Sequence, residues 1–341
     1  MARLLLVGAV ILACGGNLAG CANSPPPLQL LSPLQPPVTL RVNVFPGSNN
    51  LPLLVAIQKG FFARRGLTIE VQNTADSDAQ RAGLSVGRFE IAIAAVDNAV
   101  AMVEIAQNDV VIVAGGDSGM NEFMVRPEIS SFADVRGKAL AVDAPSTAYA
   151  LVAKKILKAQ GLLEGQDYML RLAGGTQGRS AAMLSNPELA ASLLNPPFSF
   201  TVRERGLKSL GRATDLVGPY QAQGAFVMRS WARQNALTLE RYIAAYIEGA
   251  RYVMDPVHRL EMISLLEDRF KLPQAVAVKT YEALMSPGFG LAADARFNHE
   301  GFRNVLSIRA ELEGTWNGLT PDPAKYLDMS YYDRALRLVG R

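Results

Sequence analysis

The sequence contains very little cysteine and histidine. Its two cysteines are Cys14 and Cys21, and its two histidines are His258 and His299. The chain after residue 21 therefore has no disulfide, no thiol nucleophile and no cysteine metal site, and the usual zinc or copper ligands are nearly absent. The net charge of +3 comes from interspersed Lys and Arg, so there is no electrostatic case for nucleic acid as the partner. We expect no metal and no cofactor.

Recognisable catalytic motifs are also lacking. The glycine-rich run at residues 174–180 has neither the spacing nor the lysine of a phosphate-binding loop. No Gly-x-Ser-x-Gly turn has a plausible histidine partner. The carboxylate pairs Asp76/Asp78 and Glu267/Asp268 sit in polar stretches typical of solvated surface. We therefore expect no catalytic residue.

The N-terminus has the pattern of an exported protein. An apolar run at residues 4–13 follows Arg3 and is about half the ~20 residues that span a bilayer, which predicts a signal peptide over residues 1–20. Residues 18–21, Leu-Ala-Gly-Cys, resemble a bacterial lipobox, which implies cleavage before Cys21 and lipidation of its thiol. Cys14 is a poorer second candidate, and a chance match in an ordinarily secreted protein stays an alternative. Residues 21–38, rich in Pro and Ser, are predicted to be a lipid-anchored tether.

Residues 40–71 read as one complete strand, loop, helix and strand. Apolar and polar residues alternate at residues 40–45 and 67–71, and a helix with a broad apolar face lies between these strands. Because loops at the carboxyl ends of parallel strands line the ligand crevice, Ser48, Asn49 and Asn50 are predicted to bind a ligand. The alternative is that they only cap the helix.

The same unit recurs along the chain and predicts two α/β lobes. Crossings between them are expected near residues 123–126 and 220–228, and two such crossings make a hinge. Lobe 1 is predicted to comprise residues 39–125 and 222–341, and lobe 2 residues 126–221. The remaining candidate ligand-binding residues lie in strand-end loops of both lobes: Asp97, Asn98, Gly116, Asp117, Ser146, Thr147, Tyr149, Thr176 and Gln177.

Ser146 and Thr147 carry the sharpest of these predictions. They precede a helix predicted from Ala148, whose first N–H groups and dipole suit an anionic or strongly polar group. The alternative is that Ser146 merely caps its own helix. Tyr149 can stack on a flat ligand or serve as packing.

Three segments resemble a known family. They are the loop and helix start at residues 47–52, Lys59-Gly60-Phe61-Phe62 with the residues just before it, and the strand at residues 66–70. These resemble the substrate-binding proteins of ABC importers for taurine, nitrate, alkanesulfonates and the thiamine pyrimidine precursor. Residues 130–138 resemble the turn that opens the second lobe in that family. The resemblance implies a two-lobed α/β periplasmic-binding-protein type II fold, with two doubly wound sheets joined by a two-strand hinge.

The resemblance also implies a function. We expect an extracytoplasmic, membrane-anchored lipoprotein of the periplasm or cell surface, acting as a monomer, that captures a small polar or anionic organic solute and presents it to ABC permease subunits. An enzyme on the same scaffold, similar to a pyrimidine-precursor synthase, is an alternative, although that relative uses a cysteine-rich iron site. A binding module that feeds a sensor is a second alternative. The sequence does not identify the ligand.

Overall fold

The computed structural model describes residues 36–340. The predicted signal peptide, Cys21 and most of the predicted tether lie outside the described residues. Within them, no helix is both long enough and apolar enough to cross a membrane.

The described residues form two five-stranded sheets surrounded by helices. The strands are β1 (Val38–Val44), β2 (Leu67–Asn73), β3 (Ile91–Ala95), β4 (Val110–Ala114), β5 (Glu122–Val125), β6 (Lys138–Val142), β7 (Tyr168–Leu172), β8 (Leu189–Leu194), β9 (Lys208–Arg212) and β10 (Gln223–Met228). The helices are α1 (Leu51–Gln58), α2 (Ser77–Ser85), α3 (Asp97–Glu104), α4 (Ala148–Ala159), α5 (Thr176–Ser185), α6 (Phe198–Arg203), α7 (Ala213–Val217), α8 (Arg229–Gln234), α9 (Ala236–Met254), α10 (Arg259–Phe270), α11 (Gln274–Leu284), α12 (His299–Glu313) and α13 (Ser330–Val339).

The first sheet has the strand order β2-β1-β3-β10-β4. β1 is parallel to both β2 and β3, as expected for strands joined through helices, whereas β10 is antiparallel to β3 and β4. In β1, Leu40, Val42 and Val44 are buried, and Arg41 between them pairs with Glu90. Asn43, on the same face as Arg41, is buried too and accepts a hydrogen bond from Gln80, so the period of two separates an apolar from a polar face of β1.

The second sheet has the order β7-β6-β8-β5-β9. β6 is parallel to β7 and β8, and β5 is antiparallel to β8 and β9. Residues 122–125, which the sequence analysis assigned to the end of lobe 1, thus form β5 and hydrogen-bond within the second sheet. The chain passes from the first sheet to the second between β4 and β5, and returns between α7 and β10.

The C-terminal helices pack against both sheet units. α9 lies along α1, which follows β1 of the first sheet, while α12 lies against α4, which follows β6 of the second. Lys155 and Lys158 on α4 form ion pairs with Glu311 on α12. Loops at the carboxyl ends of strands from both sheets face a common crevice.

Candidate ligand-binding site

A crevice between the two sheets encloses about 580 Å³ of space between protein atoms, part of which is open to solvent. Residues from both sheet units line it. They are Phe45, Pro46, Asn49, Ser77, Ile93, Ala94, Ala95, Asn98 and Gln223 from the first sheet and its connections, and Asp143, Thr147, Ala148, Tyr149, Gly175, Thr176, Arg179 and Asn195 from the second.

The first side presents neutral amide groups held in a network. The Asn50 amide Nδ2 donates to the Phe45 carbonyl over 2.6 Å. Because that carbonyl can only accept, Asn50 Oδ1 is free to accept from Gln223 Nε2, which lies 3.3 Å away. Next to this pair, the Asn98 amide Nδ2 lies 3.2 Å from the Ser77 hydroxyl oxygen.

The second side presents a buried cation, Arg179. Its side chain is only 3% exposed. The guanidinium donates from Nη1 to the Gly174 carbonyl (2.9 Å), and from Nη2 to the Thr176 hydroxyl (3.0 Å) and the Leu193 carbonyl (3.1 Å). Burial lowers the pKa of Arg179, and the charge of Asp143 opposes that lowering. These neutral partners fix the guanidinium plane but do not neutralise its charge.

Asp143 brings a negative charge to the same side. It directly follows β6, and its carboxylate accepts a hydrogen bond from the Ser77 backbone N–H, with Oδ2 at 3.1 Å and Oδ1 at 3.4 Å. Ser77 is the first residue of α2, on the opposite side of the crevice. Asp143 therefore joins the two sides while lining the space between them.

Two further contacts hold the sides together. The Ser48 hydroxyl donates to the Pro196 carbonyl over 2.8 Å, and the Gly175 N–H donates to the Ala75 carbonyl over 2.8 Å. A Cβ atom on Gly175 would lie 2.9 Å from the Phe45 ring and 3.2 Å from the Ala75 oxygen. The structure is therefore a closed form in which glycine permits the approach.

Some of the residues predicted from strand-end loops line the crevice. They are Asn49, Asn98, Thr147, Tyr149 and Thr176. Thr147 is the residue before α4, but its hydroxyl donates to the Ala144 carbonyl over 2.8 Å and does not cap the helix. Burial and the nearby charge of Asp117 raise the pKa of Tyr149, so its phenol stays protonated.

Other predicted residues are engaged elsewhere. The Ser48 hydroxyl donates to the Pro196 carbonyl across the crevice, and Asn50 Oδ1 accepts a hydrogen bond from Gln223 Nε2. Asp97 forms a buried bidentate ion pair with Arg309, with Nε to Oδ1 at 2.7 Å and Nη2 to Oδ2 at 2.6 Å. Its carboxylate is thereby committed to the protein.

Gly116 and Asp117 lie in the crossing between β4 and β5. Asp117 is 2% exposed, and its Oδ1 accepts from the backbone N–H groups of Gly119 (2.6 Å) and Gln223 (3.3 Å). Gln223 is the first residue of β10, directly after the return crossing, so this carboxyl joins the first crossing to the start of the return strand. Burial raises the pKa of Asp117 to about 6, although both hydrogen bonds act in the opposite direction.

Ser146 and Gln177 face different hollows. Ser146 lines a surface hollow together with Asp78 and Arg81, and its carbonyl accepts from Arg309 Nη2 over 2.8 Å. Gln177 lines a second hollow at the outer side of the residue 174–178 turn. The structure does not place either side chain in the crevice.

Sequence reasoning missed Arg179, Asp143, Asn195 and Gln223. Asp143 and Asn195 directly follow strands, so the rule applied to other strand ends would have selected them. Arg179 lies three residues after Thr176 in α5, and this spacing puts both on one helix face. Gln223 opens the return strand, and no local signal in the sequence marks it.

The family model described as NMT1/THI5 like matches residues 48–257, more than half of the chain. The chain belongs to the NMT1/THI5-like family. The search of curated proteins gave no match. The resemblance noted in the sequence analysis is confirmed at the level of this family and of the fold, which nitrate- and alkanesulfonate-binding proteins share.

Solved structures share the fold of this NMT1/THI5-like chain. The ligand-binding component of an ABC-type import system from Staphylococcus aureus, with zinc bound, is 13% identical with a TM-score of 0.71, covering 88% of this chain and 99% of that one. The periplasmic nitrate-binding protein NrtA from Synechocystis is 14% identical with a TM-score of 0.71, covering 88% of both chains. The alkanesulfonate-binding protein SsuA from Xanthomonas axonopodis pv. citri, bound to MOPS, is 17% identical with a TM-score of 0.66, covering 84% and 95%.

These likenesses confirm the predicted two-lobed type II fold, and at this level of identity they establish the fold alone. Zinc is a property of the staphylococcal structure. In the NMT1/THI5-like chain, no group of three or more His, Cys, Asp or Glu side chains within residues 36–340 is placed to hold a metal ion.

Proposed function

We propose that this chain is the extracytoplasmic solute-binding component of an ABC importer, capturing a small polar or anionic organic solute between its two lobes. The observation that carries the proposal is the crevice, which is lined by polar side chains from both sheets and contains the buried cation Arg179. A concave site between two α/β units, with a few convergent polar groups, suits a small molecule.

The proposed motion follows from how the sheets are connected. We take the crossings at residues 115–121 and 218–222 as the hinge, with the first sheet and the C-terminal segment as lobe 1 and the second sheet as lobe 2. A few crossing residues can absorb the dihedral change while packed lobes move as rigid bodies. The solute would enter an open form and be enclosed by the contacts of Ser48 and Gly175 across the crevice.

We propose that lipid on Cys21 anchors the protein outside the cytoplasmic membrane and that it acts there as a monomer. The support is the short apolar run and the lipobox-like residues 18–21. A single acyl chain holds a protein only reversibly, so stable anchoring would require more than one chain. Delivery to ABC permease subunits, without chemistry on the solute, is supported by the solved structures of the same fold, one of which is named as the ligand-binding component of an ABC-type import system.

Native mass spectrometry of the full chain, purified without denaturation, tests the binding function. The expected result is a population heavier than the bare protein by one small molecule, which unfolding releases. Deletion of the gene should then abolish uptake of that molecule by cells. Unchanged uptake in the deletion strain would contradict the importer role, and copurification with a receptor kinase in place of a permease would favour the sensor alternative.

A further inference from the structure

The crevice contains two opposite charges that do not pair with each other. Arg179 and Asp143 are the charged side chains among the residues that line it. Within the described residues, no carboxylate oxygen lies within 4.0 Å of the Arg179 guanidinium, although the charge of Asp143 does act on Arg179. The two charges are therefore near each other but separated, with the empty space of the crevice beside both.

Arg179 has no counter-ion among residues 36–340. Three of its five N–H groups are used on Gly174, Thr176 and Leu193, which leaves the Nε–H and one Nη1–H without an acceptor in the described part of the chain. A buried charge is costly unless it is paired. The two remaining donors lie on different edges of the guanidinium, so each can donate singly to an oxygen of a carboxylate, sulfonate or phosphonate.

The start of α4 adds to the same positive region. This helix has twelve residues, and Ala148 and Tyr149 in its first turn line the crevice. Because the Thr147 hydroxyl donates to Ala144, it leaves the first helical N–H groups without a side-chain cap. Uncapped N–H groups and the helix dipole both favour an anion.

A separate set of groups accepts hydrogen bonds. The Asp143 carboxylate accepts one backbone N–H, from Ser77, although its two oxygens can accept about four hydrogen bonds. The Oδ1 atoms of Asn98 and Asn195 are buried and have no partner within the described residues, and both residues line the crevice. Buried acceptors without donors cost stability, so these atoms favour a ligand that donates.

We propose that the solute is a zwitterion, with its anionic group at Arg179 and the start of α4, and a protonated amine at Asp143 and the acceptor oxygen of Asn98. The proposal rests on the proposed function, because it names the class of solute bound at that same site. A zwitterion provides a counter-ion for Arg179 and another for Asp143 in one binding event. A simple anion would neutralise Arg179 but face the Asp143 carboxylate, so Asp143 selects against it.

Isothermal titration calorimetry on the full chain tests this with matched pairs that differ only in the amine. Suitable pairs are β-alanine and propionate, 4-aminobutyrate and butyrate, taurine and ethanesulfonate, and 2-aminoethylphosphonate and ethylphosphonate. We expect the amine-bearing member of at least one pair to bind roughly ten- to a hundredfold more tightly, the range of a hydrogen-bonded charge. The reverse preference, or equal affinities, overturns the proposal.

Two variants assign the charges. Asp143→Asn should lower affinity for the amine-bearing member by about ten- to a hundredfold while leaving its amine-free partner nearly unchanged. Arg179→Lys retains the charge but loses the guanidinium plane fixed by Gly174, Thr176 and Leu193, so it should weaken both members alike, by about tenfold. Asp109→Asn, at an aspartate that does not line the crevice and whose side chain is 66% exposed, is the matched control and should change neither. Equal weakening of both members in Asp143→Asn overturns the assignment of the amine.

Thermal unfolding of each variant separates a lost contact from a failure to fold. A copurified solute without an amine nitrogen, seen by native mass spectrometry, overturns the zwitterion and leaves the proposed function standing. A wild-type protein that carries no solute and binds no member of any pair contradicts both.

Discussion

The two sides of the crevice differ in what they offer a ligand. The first sheet contributes neutral groups, chiefly the amides of Asn49, Asn98 and Gln223, whereas the second contributes both charges, Arg179 and Asp143. The first side also has a charged residue near a strand end, because Asp97 begins α3 just after β3. Its carboxylate, however, is paired with Arg309. A charge at a strand end therefore serves the ligand only when the rest of the fold leaves it uncompensated.

Asp97 gives the largest expected effect, and it concerns stability. Asp97→Asn should lower the free energy of unfolding by about 3–5 kcal/mol, because Arg309 would be left as a buried cation without its counter-ion. Denaturant unfolding measures this. The matched control is Asp109→Asn, which breaks the exposed pair with Arg229 and should cost at most ~1 kcal/mol. If the two variants lost similar amounts of unfolding free energy, burial of the ion pair would not explain the effect of Asp97→Asn.

Asp117, between the two sides, gives an effect that depends on pH. Burial raises its pKa from 3.8 to about 6, so the native state holds this proton more tightly than the unfolded chain does. The stabilisation is complete below pH ~4 and is lost as pH rises through 6, by ~3 kcal/mol in all. Asp117→Asn cannot ionise, so wild type should lose stability relative to this variant between pH 4 and 7. Unfolding curves across that range test it, and a constant difference would contradict it.

Gly175 tests whether the two sides must meet. Its φ of −60° and ψ of 177° suit alanine, so Gly175→Ala should leave lobe 2 folded. In the closed form the added methyl group presses on Phe45 and Ala75. We expect affinity for the copurified solute to fall by about tenfold. Small-angle scattering should show a larger radius of gyration than wild type at saturating solute. A variant as compact as wild type would show that closure does not need this contact.

Ser146 should give the smallest effect. Its side chain lines a hollow outside the crevice, and its carbonyl bond to Arg309 does not depend on the side chain. Ser146→Ala should therefore keep affinity within about twofold of wild type, since no hydrogen bond to the solute is lost. Calorimetric titration with the copurified solute decides this. A loss of tenfold or more would restore the prediction made from sequence, in which this hydroxyl binds an anion.

Much of the fold could be predicted because it depends on local patterns. The alternation in residues 40–45 and 67–71 and the apolar helix face between them predict β1, α1 and β2, and the strand-end rule leads to Asn49, Asn98, Thr147, Tyr149 and Thr176 at the crevice. The alternation pattern did not show to which sheet β5 belongs. Its four residues are buried on both faces, so their pattern could not show which sheet they join.

The sequence by itself determined the two-lobed α/β fold and the loops that form the site, because periodicity and turn residues act over a few neighbouring positions. Only the tertiary structure decided which polar side chains remain open to a ligand. Asp97 and Asp143 both follow strands closely, and nothing nearby in the sequence distinguishes them. Arg309, 212 residues from Asp97, reaches one of them and not the other. Packing between segments that are distant in the sequence decides which partner a buried charge has, so the residues around an aspartate do not reveal whether it is paired.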